Sequence, residues 1–581
     1  MKTSKVSRRI AYWSALTLAL SATSCVHDQA RWTPPELATQ SAVTDVAPIV
    51  ATKPREVEAA NVENDGAKHF PLEHKVALIS ALTNNLGIAM SRIDTDIDKT
   101  YRPEALAEFD PTFSASVTYN DSTRQQSAVA TETTGTSNTQ TSTGTTDGDT
   151  TTYQQLQQVI SGVQELRALL QEPTIASQSS RTTNASASLQ QRFPQGTLVT
   201  LSASASGVDS SSVSYDDIQT SWQLEVRQPL LKDAGSAVNL VAVRQADNRI
   251  ARGVYGLKAD MIALAEQVDS AYWELVLARE TKSIRDFAVA LADEQLQQNQ
   301  GLLSVGRATR ADVLSAEAEH ATRIADLSEA EAEIRSQQYD LLRLLNPTPH
   351  AGWDVRIDTL DEPIVPEVPS GVDAIEANAL RYRPEIAQAK LDAADSDLNV
   401  VSARNDLRPQ LDVVASYEAT GRSTSFNGST SYLDSGDYDG FSVGVEFYTP
   451  LLRRAEKARL QRAKYQVRKA ELSIDDWEQA VSVDVRQALV ELQKQVERHS
   501  ANLKAVESKQ AEMEITKGRY TMGKETNLEL LIVQRDLIQA KLDEVTARIR
   551  AAQAVTRLYA AEGTLLERFG IAVPEMEDAN G

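Results

Sequence analysis

Ser304-Val305-Gly306-Arg307-Ala308-Thr309-Arg310-Ala311-Asp312-Val313-Leu314 reads as a helix break followed at once by a new helix, and a second version of it lies downstream. Val305-Gly306-Arg307 recurs 217 residues later as Met522-Gly523-Lys524, and Asp312 recurs as Glu529. Before this segment, Leu224, Glu225, Pro229, Leu230 and Leu231 recur at an offset of 221 as Val445, Glu446, Pro450, Leu451 and Leu452. Earlier still, Leu82, Ile88, Ala89, Pro111 and Tyr119 recur at 298 as Leu380, Ile386, Ala387, Pro409 and Tyr417. The chain is therefore a duplicated unit whose first copy has gained about 77 residues between its two proline anchors. Two diverged copies are too few for a self-supporting solenoid, so they read as wall segments of a symmetric object completed by oligomerisation.

Each copy has the same expected order: a helix (about 72–107 and 372–405), a proline, a strand, a second strand and a long helical arm. Phe113, Ala115, Val117, Tyr119 alternate in the first copy and Leu411, Val413, Ala415, Tyr417 in the second. The second strands alternate too, as Trp222, Leu224, Val226 and as Phe441, Val443, Val445, Phe447. One such strand is ordinary half-buried sheet; four in duplicate, in an exported chain, point to a membrane β-barrel pooled across subunits, because so few strands cannot close one alone. Beyond Pro229 and Pro450, roughly 75 residues run to each glycine tip, about 110 Å as helix. Val485, Leu489, Leu492, Val496, Leu503 and Val506 follow coiled-coil spacing outward, and Leu528, Leu531, Leu537, Leu542 and Val545 carry the return.

The chain of 581 residues has only 5% aromatics, a composition suited to long helices rather than compact cores. At the N-terminus, Lys2, Lys5, Arg8 and Arg9 precede the apolar run Ile10 to Leu20 and the small residues before Cys25, the zones of a secretory signal in residues 1–25. Removing those four cations takes the net charge from −22 to about −26, which excludes nucleic acid as a partner and favours a cation-attracting lumen. Cys25 is the only cysteine, so no disulfide forms within one chain. Residues 26–70 are polar and proline-bearing and read as an extended tether; 347–370 read as a linker and 571–581 as an acidic tail. His27, His69, His74, His320, His350 and His499 show no metal or triad spacing, and no phosphate-cradling loop occurs, so neither an enzyme nor a cofactor is expected.

These residues resemble the TolC-like outer-membrane efflux family, over about residues 71 to 570 apart from the insertion. The most specific segments are Ser304 to Leu314 and Arg383-Pro384-Glu385-Ile386. The resemblance implies an α+β fold: a duplicated helix-strand-strand-long helical hairpin unit, with repeats at 71–346 and 371–570. It implies a homotrimer whose outer-membrane β-barrel, of twelve strands, continues into a periplasmic α-helical tunnel. It further implies a passive exit duct for small molecules, served by an inner-membrane transporter and a periplasmic adaptor protein. Cys25 stands where a bacterial lipoprotein is cut and acylated, as with palmitate, which implies a lipid anchor in the outer membrane; cleavage without lipid is the alternative.

Within that resemblance, Asp312 and Glu529 are candidates for an acidic entrance ring, and Tyr520 for a closed-state link to Asp312. An acidic residue in a first helical turn equally suits the helix dipole. Glu525 stands where the family's link uses arginine, and Ile532 replaces a second acidic position. Val305, Gly306, Arg307, Met522, Gly523 and Lys524 are the candidate adaptor-docking tips, although glycine also serves a plain helix end. The insertion, 121–205, is Thr/Ser/Gly/Gln-rich, with one apolar helical face (Leu156, Val159, Ile160, Val163, Leu166, Leu170) and an extra hairpin turning at Pro194-Gln195-Gly196. Joining the wall, that hairpin would make eighteen strands; twelve is the expectation. A coiled-coil lipoprotein bracing the envelope is the rival reading and leaves the alternating strands unexplained.

Overall fold

The computed structural model describes residues 52–54, 68–127, 156–163, 175–210, 217–346, 353, 355–435 and 437–571. In chain order the elements are β1 (Thr52–Pro54), β2 (Lys68–Leu72), α1 (His74–Asn84), α2 (Leu86–Leu106), β3 (Thr112–Ser127), β4 (Ile175–Arg192), β5 (Leu198–Ser210) and β6 (Asp217–Pro229). Then follow α3 (Val241–Ser304), α4 (Arg310–Leu345), β7 (Val355–Thr359), β8 (Asp361–Pro363), α5 (Val372–Tyr382), α6 (Pro384–Asp406) and β9 (Gln410–Ser423). The last are α7 (Phe426–Ser435), β10 (Asp439–Tyr448), α8 (Arg454–Thr521), α9 (Asn527–Glu562) and α10 (Leu565–Arg568). The chain divides into two units: a helical one from Met1–Ala105, Ala242–Val400 and Arg459–Gly581, and a sheet one from Leu106–Val241 and Val401–Ala458.

In the helical unit, α3 and α8 are 64 and 68 residues long, about 100 Å each. Each folds back into a 36-residue partner, α4 or α9. The pairing is antiparallel: Arg285 Nη1 meets Asp326 Oδ2 at 3.0 Å, and Asn299 reaches Asp312 nearer the turn. In the second hairpin Asn502 bonds the Asp543 carbonyl, and Lys509 Nζ lies 2.9 Å from Asp536 Oδ2. Val485 and Leu492 are fully buried and Leu489 and Val496 partly so, as the seam spacing requires, whereas Leu503 and Leu528 are exposed. The largest apolar core gathers Leu78, Met261, Val268, Trp273, Leu341 and Ile549 around a polar centre. There the His74 and Asp269 side chains lie 2.8 Å apart, and Asp269 Oδ1 also accepts from Trp273 Nε1 and Thr556 Oγ1.

Each expected opening helix is two helices. Arg383 adopts ψ 125° because Pro384 disfavours helical geometry in the residue before it. Asn85, at ψ 130°, accepts the Gly87 N–H on its own side chain and starts α2 afresh, bent by 47° from α1. Two short strand pairs add to this unit: β2 pairs in parallel with β7, and β1 antiparallel with β8. Parts of the expected tether and linker are thereby joined by main-chain hydrogen bonds. The rest of the tether, the acidic tail after Ile571, Cys25, Leu166 and Leu170 lie outside the described residues.

The sheet unit corrects the strand count. Its six strands are wholly antiparallel in the order β10-β9-β6-β5-β4-β3, so the extra hairpin, β4 and β5, lies inside the sheet between β3 and β6. A chain contributing four strands, the basis of a twelve-stranded barrel, is not what this sequence builds. The hairpin turns where Gly196, at φ 93°, hydrogen-bonds Phe193; a Cβ there would stand 2.2 Å from the Asp233 carbonyl oxygen. The insertion residues 156–163 are helical, with Leu156, Val159, Ile160 and Val163 exposed.

Register places like residues side by side. One face carries Phe113, Leu189, Leu201, Leu224, Tyr417 and Phe441 in one row, and Ala115, Ala187, Ala203, Trp222 and Ala419 beside it. The opposite face is polar: Ser114 meets Ser188 at 2.7 Å, Ser116 meets Ser186 at 2.9 Å, and Ser204 meets Ser221 and Ser416 meets Ser442 at 2.8 Å. Among the described residues β3 and β10 pair on one side only. All of β10, and β3 from Thr112 to Thr123, is exposed.

Candidate functional site

The two hairpin tips close in the same way. Gly306 and Gly523 take φ 73° and 72°, open to glycine without cost, and end α3 and α8. Gly306 N–H bonds the Leu303 carbonyl and Arg307 N–H the Leu302 carbonyl; Gly523 and Lys524 repeat this on Tyr520 and Arg519. These paired bonds satisfy the last carbonyls of each helix and reverse the chain. A threonine then starts each return helix: Thr309 Oγ1 accepts from Asp312 N–H, and Thr526 Oγ1 from Glu529 N–H, both at 3.2 Å.

The two acidic positions differ despite this symmetry. Asp312 Oδ2 reaches back to the Thr309 N–H at 2.8 Å and its hydroxyl at 2.6 Å, completing a capping box. Those Thr309 hydrogen bonds hold the Asp312 carboxyl below the usual aspartate range. Glu529 sits exposed in the first turn of α9, where its N–H serves the cap. Glu525, the residue in place of the family's arginine, pairs with Arg519 on α8 at 2.9 Å.

Tyr520 does not reach the Asp312 carboxylate. Its hydroxyl donates to Asn299 Oδ1 at 2.5 Å, and Asn299 Nδ2 donates to the Asp312 main-chain oxygen at 3.2 Å. Burial, with the Asp312 charge behind it, pushes the Tyr520 hydroxyl pKa upward and keeps it a donor. Gln295 Nε2 and Asn299 Nδ2 both donate to Asn527 Oδ1 at 3.0 Å, and Asn527 Nδ2 reaches Ser315 Oγ at 3.2 Å. Gln295, Asn299 and Asn527 are all buried, so this amide cluster ties α3, α4, α8 and α9 together just behind the tips. Buried amides that satisfy one another specify one arrangement, because any displacement strands several donors in apolar surroundings.

Gln295, Asn299, Ser315 and Asn527 were not among the expected site residues. The signal was present: Ala288, Ala292, Gln295 and Asn299 follow one seam at spacings of four and three, so amides occupy positions where apolar residues are the norm. At the tips Val305 and Met522 are exposed, and the Arg307 guanidinium approaches Gly523.

A family profile described as outer membrane efflux protein matches residues 377–564, from the middle of α5 to the end of α9. Outer membrane efflux protein BepC of Brucella suis is 25% identical over 315 residues, covering 53% of this chain and 65% of that protein, so the match spans just under two thirds of its length. Outer membrane protein TolC of Vibrio cholerae is 23% identical over 56% of this chain and 72% of its own. The solved Campylobacter jejuni CmeC outer membrane channel superposes with a TM-score of 0.57 at 14% identity, over 85% of this chain and 86% of that one. Residues 377–564 thus match the outer-membrane efflux family, and the chain is similar to TolC-like outer-membrane proteins. In this TolC-like chain the fold is that of outer-membrane channels, mostly helical with a sheet. The family is one of channel proteins rather than enzymes.

Proposed function

We propose that this protein is the passive outer-membrane exit duct of a tripartite efflux or secretion system, expelling small molecules with energy from an inner-membrane transporter. The observation that carries this reading is the two-faced sheet with free edges. An antiparallel sheet apolar on one face and serine-lined on the other suits lipid outside and water within, and an exposed edge calls for another strand. Three copies joining β3 to β10 around a three-fold axis form a closed wall, and two duplicated helical hairpins per copy supply a tunnel. An envelope brace without a channel needs no such sheet.

In this reading a periplasmic adaptor docks at Val305, Gly306, Arg307, Met522, Gly523 and Lys524. Glu529 supplies the mobile charge of a three-fold acidic ring, and Asp312 a fixed one; Tyr520 links α8 to α3 in the closed state. Acylation at Cys25 anchors the chain in the outer membrane.

Paired cysteines test the closure: Ala115→Cys on β3 combined in turn with Val443→Cys, Val445→Cys or Phe447→Cys on β10. The reading expects one combination to give a covalent trimer on oxidation. A detergent-extracted monomer, or cross-links confined to one chain, would overturn it.

A further inference from the structure

We propose that the inserted β4–β5 hairpin is part of the transmembrane wall, and that it makes the outer exit an eighteen-stranded pore with a hydroxyl-lined sector, suited to bulky hydrophilic cargo. This rests on the closed-duct reading above, and adds to it where the pore is wide and what its lining accepts.

The hairpin is not an ornament on a finished sheet. β4 pairs with β3 from Gln190 to Ile175, and β5 pairs with β6 from Leu198 to Val208, so removing it would leave β3 and β6 each without a partner on that side. Both strands exceed the roughly 9–11 residues that span a bilayer when tilted. Their two faces also continue those of their neighbours without a break. Ala185, Ala187 and Leu189 with Leu201, Ala203 and Ala205 extend the apolar face. Asn184, Ser186 and Ser188 with Ser202, Ser204 and Ser206 extend the polar one. A loop lying on the outside of a barrel has no reason to keep that alternation in register with the wall.

Width follows from strand number. Barrel diameter grows roughly linearly with strand count, so six strands per copy give a lumen about 1.5-fold wider than four would. From Thr182 to Ser188 on β4 and from Thr200 to Ser206 on β5, the polar-face residues that the hairpin adds are serines, threonines and one asparagine; the charged Arg192, at the turn end of β4, pairs with Glu108. Serine hydroxyls donate and accept, so they replace the hydration of a neutral polar solute without favouring either sign of charge. Charge on the polar face sits on the neighbouring strands instead, where Arg227 on β6 pairs with Asp412 on β9 and Glu446 on β10.

Single-cysteine accessibility in the embedded, full-length protein tests this, with the unsubstituted chain as the background. Ser186→Cys and Ser204→Cys report the polar face, and Ala187→Cys and Ala203→Cys the apolar face of the same strands. The probes are a water-soluble maleimide-polyethylene glycol of about 2 kDa, a size chosen for a porin-class lumen, and a lipid-soluble pyrene maleimide. The expected result is polymer labelling at least about 10-fold higher on the serine positions, with pyrene labelling favouring the alanine positions. A three-fold image of the same protein in nanodiscs should count eighteen strands.

Polymer labelling of both faces in a conducting trimer would place the hairpin outside the wall and overturn the proposal while leaving the duct intact. Serine positions that take a small soluble maleimide but refuse the polymer would overturn the width. A count of twelve strands would overturn both. A non-conducting monomer would remove the duct reading and this inference together.

Discussion

The Tyr520 hydroxyl donates to Asn299 Oδ1 at 2.5 Å, linking α8 to α3 one turn before the second tip. Asn299 also serves Asn527 on α9 and the Asp312 carbonyl on α4, so one buried amide touches three other helices. Tyr520→Phe removes one hydrogen bond and is expected to cost about 1 kcal/mol. Asn299→Leu strands the Tyr520 hydroxyl and disturbs both other partners, so its cost should be about two- to threefold greater. Thermal melts followed by circular dichroism rank the two; equal effects would mean that the cluster is not shared in this way.

Asp312 gives a pH signature. Its carboxyl is held below the ordinary range by Thr309, so the folded state binds its proton less readily than the unfolded chain does. That contribution is fully present above the unfolded aspartate pKa of about 4 and fades as pH falls through the lower folded value. The Asp312→Ala chain should melt below the parent at neutral pH, by about 1 kcal/mol for a lost cap, and the gap should close as pH drops well under 4. A gap that persists unchanged into strong acid would mean that the carboxylate does not cap α4.

The polar centre of the helical core is a third test. Asp269 faces His74, Trp273 and Thr556, all buried with it. Asp269→Ala leaves the buried Trp273 Nε1 and Thr556 Oγ1 without their acceptor and His74 without its neighbouring carboxylate, and should destabilise by about 3 kcal/mol or more. Thr556→Val removes one donor and keeps the shape, so about 1 kcal/mol is expected. Denaturant midpoints of the two variants provide the comparison, and near-equal losses would contradict the shared-acceptor account.

Gly196 is a fourth. Its φ of 93° and the Asp233 carbonyl 2.2 Å from any added Cβ make Gly196→Ala strained twice over. The expected penalty exceeds the 1–2 kcal/mol of a left-handed alanine, about the lower bound here. It should appear as a weaker sheet-unit transition in heat-modifiability gels, while Gly301→Ala, with open space around it in α3, leaves that transition unmoved.

What was legible in the sequence follows the strength of each local signal. The tips stood out because Gly306 and Gly523 interrupt long helical spacing, and the structure gives both the same left-handed turn. Pro384 marked a break that the reading passed over, and Asn85 marked another with only a side-chain hydrogen bond to reveal it. The hairpin residues 184–206 alternate serine with alanine, so the contrast in hydropathy that flags a strand is small, and the pairing rather than the pattern places them in the sheet. The amide cluster was missed for the opposite reason: Gln295 and Asn299 look like solvent-facing residues until the seam they share with Ala288 and Ala292 is followed.

Single-channel conductance of the purified, detergent-extracted protein in a planar bilayer, beside Glu529→Ala, bears most directly on the claim that this chain forms a gated duct. The account predicts a small, cation-selective conductance from a trimer, with selectivity reduced or conductance raised when the exposed Glu529 charges are removed. An intact oligomer that never conducts, with or without the substitution, would contradict it.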